Sequence, residues 1–188
     1  MYHIAEAMTR WVAPVLSFTA EEIWHNLPGQ HSETIFTETY YDKLQPLSDN
    51  SLFNSTEWDQ VVRVRIAVSR ALEKLRVDGS IGGSLDAQVQ LFCDEKLQSL
   101  LGRLEDELRF VLITSDATVD SLNAKPADAS SAELEDGELW IVASASPHPK
   151  CVRCWHHRQE VGNSEAHPEL CGRCIENVDG EGEPRRFT

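Results

Sequence analysis

Two cysteine pairs decide how the end of this chain folds: CVRCWHHRQEVGNSEAHPELCGRC, residues 151–174. Each pair has the spacing C-x-x-C, and sixteen residues lie between the pairs. Two residues between cysteines allow a tight turn to aim both sulfurs at one point, so two such turns supply four thiolates at tetrahedral corners. The spacing therefore predicts one structural zinc ion held by Cys151, Cys154, Cys171 and Cys174.

Disulfides or a redox pair are the alternatives for these cysteines, and two pairs at this spacing favour zinc. His156, His157 and His167 are candidate substitutes, but four cysteines already close the site. A closed four-sulfur site has no open coordination position, so its role is folding and not catalysis. Cys93 stands alone in a predicted strand and is interpreted as a small buried apolar residue.

Basic and aromatic residues around the cysteines suggest contacts with unstacked RNA bases and with phosphates. Trp155 could instead pack over the first knuckle, the turn that holds Cys151 and Cys154. Residues 185–187 could be a frayed tail. A helix with several basic residues, further up the chain, supplies the other candidates. The predicted RNA-binding residues are Arg63, Arg70, Lys74, Arg153, Trp155, His156, Arg158, Arg173, Arg185, Arg186 and Phe187.

The net charge of −14 argues against a general nucleic-acid binder, so any polyanion is expected at local basic regions. Residues 147–188 are nearly neutral, and residues 58–78 are locally basic. Neither a run of eighteen apolar residues nor a signal peptide occurs in the sequence, which predicts a cytoplasmic protein without a membrane partner.

The first part of the chain is predicted to be helical. Residues 4–15 follow helical spacing without a capping residue before them, which indicates a helix entered partway along, and Pro14 ends or kinks it. Thr19 and Glu22 form a capping box for a second helix, through about Leu27.

A loop is expected over residues 28–54, which are rich in Ser, Thr, Asn and Asp. A long third helix then follows, with Thr56 and Asp59 as its predicted cap, and it ends near Asp78-Gly79. Its apolar stripe is Trp58, Val61, Val64, Val68, Leu72 and Leu75.

The period then changes from helical to alternating. Strands are predicted over residues 85–93, 109–114 and 139–145, and Asp94 caps a short helix after the first of them. Residues 120–137 are rich in Ala, Ser and Asp and are expected to be mobile.

The predicted fold class is α+β, in three parts. They are a helical bundle portion over residues 1–80, a small α/β unit over 81–146, and a zinc-ribbon-like module with four cysteines over 147–188. No catalytic motif is present: the glycine-rich residues 79–84 lead into a strand and are interpreted as a turn.

Three stretches of the sequence resemble known proteins. RWVAPVLSFTAEEIW (residues 10–24) resembles the helical anticodon-binding domain of class I synthetases for branched aliphatic amino acids. IGGSLDAQVQLF (81–92) and DELRFVLITS (106–115) resemble the segment that follows that domain in bacterial isoleucyl-tRNA synthetases. The cysteine module resembles the C-terminal zinc finger of the same family.

The resemblance implies a C-terminal, tRNA-binding fragment that recognises the anticodon arm of isoleucine tRNA, as a monomer with one zinc ion and no DNA partner. The family's HIGH and KMSKS signatures do not occur here. ATP and Mg²⁺ are therefore expected only in the catalytic domain of the parent ligase, which joins isoleucine to its tRNA through an aminoacyl-adenylate. This chain is not expected to adenylate isoleucine or to edit valine by itself.

Two other classes compete with this interpretation. Formamidopyrimidine-type DNA glycosylases end in a similar zinc finger, but they use an N-terminal proline as nucleophile, and this chain starts Met1-Tyr2-His3. A zinc-ribbon protein-interaction module explains the cysteines but not the helical region or the basic helix.

Overall fold

The computed structural model of the protein describes residues 1–46, 52–134 and 137–187. It contains helices together with a small sheet, so the predicted α+β class is confirmed. The chain divides into two compact units, Met1–Asn54 and Ser55–Thr188. In the described residues no helix is both long and apolar enough to cross a membrane.

The first unit is built from helix α1 (Tyr2–Val12), helix α2 (Ser17–Asn26) and a 3-10 turn at Ile35–Thr37. The indole N–H of Trp24 donates to the backbone oxygen of Ser32 at 3.0 Å, so the polar group of this buried ring has a hydrogen-bond partner. The small apolar core of the unit consists of Ala13, Ala20, Trp24 and Ile35.

The first helix agrees with the prediction, whereas the start of the second does not. Helix α2 begins at Ser17, with Leu16 as its N-cap residue, so the predicted capping box at Thr19 and Glu22 is wrong. The connection between the two helices is a short turn, and the Ser17 hydroxyl donates to the Ala13 oxygen at 3.1 Å within it. Thr19 therefore lies inside the helix and not at its boundary.

A buried carboxylate holds the first unit together from the α1 side. Glu6 is 3% exposed, pairs with Arg10 one turn along, and contacts His31 Nε2 at 2.6 Å. Arg10 also bonds Glu38 at 3.1 Å. Burial alone would raise the pKa of Glu6, but hydrogen bonds from Arg10, His31 and Tyr2 lower that pKa to about 2.

Helix α3 (Ser55–Val77) begins one residue before Thr56, so the predicted cap residue lies inside the helix. The helix ends two residues before Gly79, whose φ of +80° favours glycine. The described residues of the loop before it, in 28–46 and 52–54, contain only the one 3-10 turn, as predicted; residues 47–51 of that prediction lie outside the described residues. The apolar stripe is confirmed at its centre, since its buried members are Val61, Val64, Val68 and Leu72.

The sheet has four strands in the order β2-β1-β4-β3. Strand β1 pairs in parallel with β2 and antiparallel with β4, and β3 pairs antiparallel with β4. The strands are β1 (Ala87–Cys93), β2 (Asp116–Ser121), β3 (Ser130–Ala132) and β4 (Leu139–Ala145). Strands β1 and β4 were predicted, and β4 has the predicted bounds.

Helix α4 (Glu95–Gly102) follows β1, and its Asp94 cap is confirmed: the carboxylate accepts from the Leu97 N–H at 3.0 Å. The next segment is a correction. The strand predicted over residues 109–114 is wrong, because helix α5 (Leu108–Leu112) occupies it. Its buried Leu108 and Leu112 are four residues apart, so the apolar run fits one helical turn, packed against α3 and β2, as well as a buried strand.

Residues 120–137 were expected to be mobile, but their described part contains the end of β2, a 3-10 turn at Leu122–Ala124 and strand β3. Residues 135–136 of that prediction lie outside the described residues. Strand β2 was missed because its sequence, DATVDS, is too polar to read as a strand. Its pairing with β1 stabilises the strand, although its residues have a low β-propensity.

Together, α3–α5 and β1–β4 form the sheet unit, residues 55–146. Helix α3 packs on β4, and α4 and α5 pack against β2. The largest fully buried side chains of the sheet unit's core include Leu91, Leu101, Leu104, Leu108, Leu112 and Leu139.

Candidate zinc centre and nucleic-acid interface

The zinc module, residues 147–187 of the described chain, brings its two cysteine pairs together from different local structures. The first pair lies in a turn in which the N–H of Cys151 donates to His156 O and the N–H of Trp155 donates to Cys151 O, both at 2.9 Å. The second pair opens helix α6 (Gly172–Asp179), with Cys171 as N-cap residue. A tight turn and a helix start both direct two sulfurs to one side.

The ligand atoms of the four cysteines all lie within 4.8 Å of one another. The Sγ atoms of Cys154 and Cys171 are 3.6 Å apart. Four sulfurs about 2.3 Å from a tetrahedral zinc ion would be about 3.8 Å apart, so the observed spacing fits the metal. All five cysteines of the chain are free thiols, which disfavours the disulfide alternative.

Two of the sulfurs share a hydrogen bond. This hydrogen bond with Cys171 lowers the pKa of the Cys154 thiol far below its usual value. The same hydrogen bond, and then burial, raise the pKa of Cys171. Cys93 behaves differently, since burial in β1 raises the pKa of its thiol to about 11.

A guanidinium group and a backbone N–H lie beside the sulfurs. The Arg153 Nη1 atom lies 3.7 Å from Cys174 Sγ, and the backbone N–H of Cys171 donates to Cys151 Sγ at 3.3 Å. Four thiolates around Zn²⁺ carry a formal charge of about −2. These donors offset that charge, which agrees with a site whose function is structural.

The zinc module is docked on the sheet unit. Ser115, just before β2, donates its hydroxyl proton to Leu85 O and accepts from the backbone N–H of His157 at 2.6 Å. Arg158 donates to Ser115 O at 3.3 Å and to the Asp116 carboxylate at 3.4 Å. These contacts fix the module at its first knuckle.

A second set of contacts surrounds Phe110, in helix α5. The guanidinium carbons of Arg173 and Arg185 lie 5.0 and 4.3 Å from the centre of its ring, and the ring of His156 meets it edge-on at 5.5 Å. Glu107 accepts from the backbone of the residues that follow Arg185. Three of the predicted RNA-binding side chains therefore contact the protein's own α5.

Other predicted RNA-binding residues face outward. Trp155 is 61% exposed and has a left-handed backbone, with φ of +67°, which is uncommon for a large side chain. The Lys150 ammonium nitrogen is 5.9 Å from the centre of its ring. Arg153 and Arg186 are exposed as well. Arg185 is also exposed, although its guanidinium lies against Phe110, so one aromatic ring and four cations reach the surface of the module.

The basic residues predicted on α3 are exposed: Arg63, Arg70 and Lys74. Arg70 and Lys74 line a groove of about 300 Å³ together with residues 130–133, which include strand β3. This groove also contains Glu133, so its charge is mixed.

Sequence reasoning missed Ser115, Glu107 and Phe110, which attach the module to the sheet unit. None of these residues belongs to a recognisable motif, and Phe110 stood inside the segment wrongly predicted as a strand. The only available signal was the arginine content of the module, since guanidinium groups need acidic or aromatic partners when they are partly buried.

Comparison with known families agrees with this geometry. Residues 1–91 match the model described as the anticodon-binding domain of tRNA ligase. Residues 149–177 match the model described as a zinc finger found in FPG and IleRS. The zinc-finger match and the four-cysteine cluster together support one structural zinc ion.

Several curated relatives align with the whole chain. Proteins named isoleucine–tRNA ligase are 53% identical in Alkalilimnicola ehrlichii, 57% in Methylococcus capsulatus and 49% in Pseudomonas aeruginosa. Each alignment covers 100% of this chain and 20% of the relative. The chain thus spans about a fifth of the length of the curated relatives it matches.

The two matched regions are similar to an anticodon-binding domain of tRNA ligases and to a zinc finger. With relatives at this identity along all of its residues, the chain is similar throughout to the part of isoleucine–tRNA ligases that carries these two modules. The resemblance found in the sequence is confirmed.

The competing interpretations are not favoured. The zinc-finger model covers both FPG and IleRS, so residues 149–177 do not distinguish a glycosylase from a tRNA ligase. Residues 1–91 do, because they match the anticodon-binding domain of tRNA ligases. The interpretation as a zinc-ribbon interaction module does not account for residues 1–91 either.

Proposed function

We propose that this chain is the tRNA-binding part of an isoleucine–tRNA ligase and that it recognises the anticodon arm of isoleucine tRNA. One observation carries the proposal: a match to an anticodon-binding domain and a zinc finger with its four sulfurs clustered occur in the same chain. A helical region that binds the arm and a small module that reaches its loop provide two separate surfaces for one RNA.

The proposed organisation has three parts: a helical bundle portion over residues 1–80, a small α/β unit over 81–146 and the zinc module over 147–188. Cys151, Cys154, Cys171 and Cys174 are the proposed zinc ligands. The metal's contribution is to fold the module, because four thiolates leave no position for a substrate.

The accessible part of the module suits single-stranded RNA. An exposed indole offers a flat surface on which an unpaired base can stack, and the cations near it can contact phosphates. Trp155 is the proposed stacking residue, with Lys150, Arg153 and Arg186 around it. Phosphate contacts would position the loop and the bases would specify it.

The whole ligase is proposed to attach isoleucine to tRNA through an aminoacyl-adenylate in the cytoplasm, with ATP and Mg²⁺ bound by its catalytic domain. This chain's own residues would bind and orient the RNA. We propose that it does so as a monomer.

The test is fluorescence anisotropy of the zinc-loaded chain with two labelled anticodon stem-loops, of isoleucine and valine type, across a salt series. Tighter binding of the isoleucine loop is expected. The dependence of log K on log salt should have a slope of about −0.7 to −0.9 for each phosphate contacted.

Trp155→Ala should weaken binding of the isoleucine loop about tenfold or more, since stacking of one base is worth about 1–3 kcal/mol. Trp155→Phe, which keeps an aromatic ring at the same position, is the matched control and should retain most of the affinity. Equal binding of the two loops, or no binding of either, would contradict the proposal of an isoleucine-specific reader.

A further inference from the structure

We infer that Glu107, Phe110, Arg173 and Arg185 form a latch that sets the position of the zinc module, and that these arginines serve the latch instead of RNA phosphates. The latch residues are positioning residues for the proposed tRNA-binding function, on which this inference rests. Arg173 and Arg185 are basic residues beside a zinc finger, so sequence alone assigns them to RNA.

The aromatic ring at the centre of the latch is surrounded by cations. Besides Arg173 and Arg185, the guanidinium carbon of Arg109 lies 4.1 Å from the centre of the Phe110 ring. Attraction between guanidinium groups and the face of a ring is strengthened by removal from water. Arg109 is 4% exposed, and the side chains of Arg173 and Arg185 are 17% and 33% exposed. The contact is therefore partly removed from water, with Arg185 at its outer edge.

Acidic groups neutralise these cations. Asp106 binds Arg109 at 2.7 Å, and Glu183 binds Arg173 at 2.9 Å and Arg185 at 3.0 Å. Burial alone would raise the pKa of Glu183, but the two arginines lower it, so this carboxyl group is ionised at neutral pH. Guanidinium groups that already have carboxylate and aromatic partners offer little to an RNA phosphate.

Glu107 adds a second attachment at the end of the chain. One of its carboxylate oxygens accepts from the N–H of Arg186 at 2.7 Å, and the other accepts from the N–H of Phe187 at 2.9 Å. Hydrogen bonds to a charged acceptor are stronger than neutral ones. The segment after Glu183 is therefore held on α5, while the side chain of Arg186 stays exposed.

The latch also determines where the proposed stacking surface points. Trp155 is followed directly by His156, which packs against Phe110, and then by His157, whose N–H is bound by Ser115. The backbone that carries the Trp155 indole is thus held in place by the contacts of His156 and His157, the two residues that follow it. A surface held in place before binding loses less entropy when RNA binds.

The first experiment separates latch arginines from phosphate-binding arginines. Salt dependence of stem-loop binding is measured for Arg173→Gln and for Arg186→Gln, at an arginine whose side chain is exposed. Arg173→Gln should weaken binding several-fold with an unchanged salt slope. Arg186→Gln should reduce the slope by about 0.7–0.9, the value for one lost phosphate contact. A slope reduced by Arg173→Gln to the same extent would overturn the inference.

The second experiment tests the ring. Phe110→Leu keeps an apolar side chain but removes the π face, whereas Phe110→Tyr keeps both. We expect Phe110→Leu to weaken RNA binding about tenfold, as a desolvated cation–π contact allows, with one zinc ion still bound per chain. Phe110→Tyr should bind like the parent chain. Equal RNA affinity in all three chains would contradict the latch.

A third measurement is independent of RNA and of mutations in the core. Hydrogen exchange at the amides of Arg186 and Phe187 should be slow in the parent chain and much faster in Glu107→Gln, which has lost the charged acceptor. Unprotected amides in the parent chain would overturn the latch. If neither stem-loop binds, the proposed function fails, and exchange at these two amides still decides whether the latch exists.

Discussion

The sheet unit and the zinc module lie in the same compact unit, but different interactions hold each of them together. The sheet unit buries many leucines and valines from its helices and strands. Among residues 147–187, the buried ones are only Cys151, His156, Cys171 and Cys174. A small module with so little apolar interior depends on its metal, on its hydrogen bonds and on the surface that it docks against.

This contrast decides what each region tolerates. In the sheet unit, any buried methyl group contributes to stability, so damage is graded with the volume removed. In the zinc module, the ligands act together, so loss of one sulfur affects the whole module. The predictions below use this difference, from the largest expected effect to the smallest.

Cys174→Ser should unfold the zinc module while the sheet unit stays folded. Structural zinc contributes about 10 kcal/mol or more to the folding of small zinc modules. Zinc content, measured by mass spectrometry of the metal, should fall well below one ion per chain, and amide exchange over residues 151–179 should become fast. Cys93→Ala is the control and should keep its zinc. Slow exchange at both knuckles of Cys174→Ser would contradict the dependence on metal.

Leu101→Ala should destabilise the sheet unit by about 4 kcal/mol, because a fully buried leucine leaves a cavity when it is truncated. Urea unfolding followed by circular dichroism measures the change. Val77→Ala removes an apolar side chain that is 78% exposed and should have little effect. A loss below about 1 kcal/mol at Leu101 would mean that the core is not the main support of this region.

Glu6→Gln tests the first unit, which relies on a buried charge and a small core. The folded-state pKa of Glu6 is about 2, below the ordinary 4.5, so its stabilising effect is complete above about pH 4.5 and is lost as the pH falls toward 2. At pH 7 the substitution should cost about 3 kcal/mol at most.

The difference in unfolding free energy between Glu6→Gln and the parent chain should therefore shrink as the pH falls below 4.5. Glu22→Gln, at an exposed position of α2, supplies a curve for loss of a surface charge. A difference independent of pH would show that the substitution acts by shape and not by charge.

Asp94→Ala should have the smallest effect, about 1–2 kcal/mol, since it removes a helix cap. Its carboxylate accepts from Leu97 N–H at 3.0 Å and from Glu138 N–H at 3.1 Å, so it joins the start of α4 to the residue before β4. Asp94→Asn keeps one carbonyl oxygen and should lose less stability. Thermal unfolding of the two variants compares them, and identical losses would exclude the second hydrogen bond as a contributor.

The part of the structure that could be predicted from the sequence differs between the zinc module and the sheet unit. The cysteine spacing predicted the cluster, because four identical ligands at fixed intervals have one common solution. Strand β4 and the Asp94 cap were also predicted, since alternation and capping are local signals. Strand β2 and helix α5 were not predicted. A polar strand such as β2 is stabilised by pairing with its neighbour, and a short apolar run such as that of α5 fits a helix or a strand equally well.

The sequence also did not predict how the zinc module docks on the sheet unit. Ser115 and His157 are 42 residues apart, and Glu107 and Phe187 are 80 apart, so only the folded chain shows that they meet. Arginines near a metal site suggest RNA by composition. Their aromatic and acidic partners come from a distant helix that carries no motif.

The most direct test of the account is binding of the isoleucine-type anticodon stem-loop to one sample before zinc removal, after removal by chelation, and after zinc is restored. The account predicts that affinity is lost without zinc and recovered with it, while circular dichroism shows the helices of the other regions throughout. Unchanged affinity in the metal-free sample would contradict the claim that a zinc-organised module contributes to tRNA recognition.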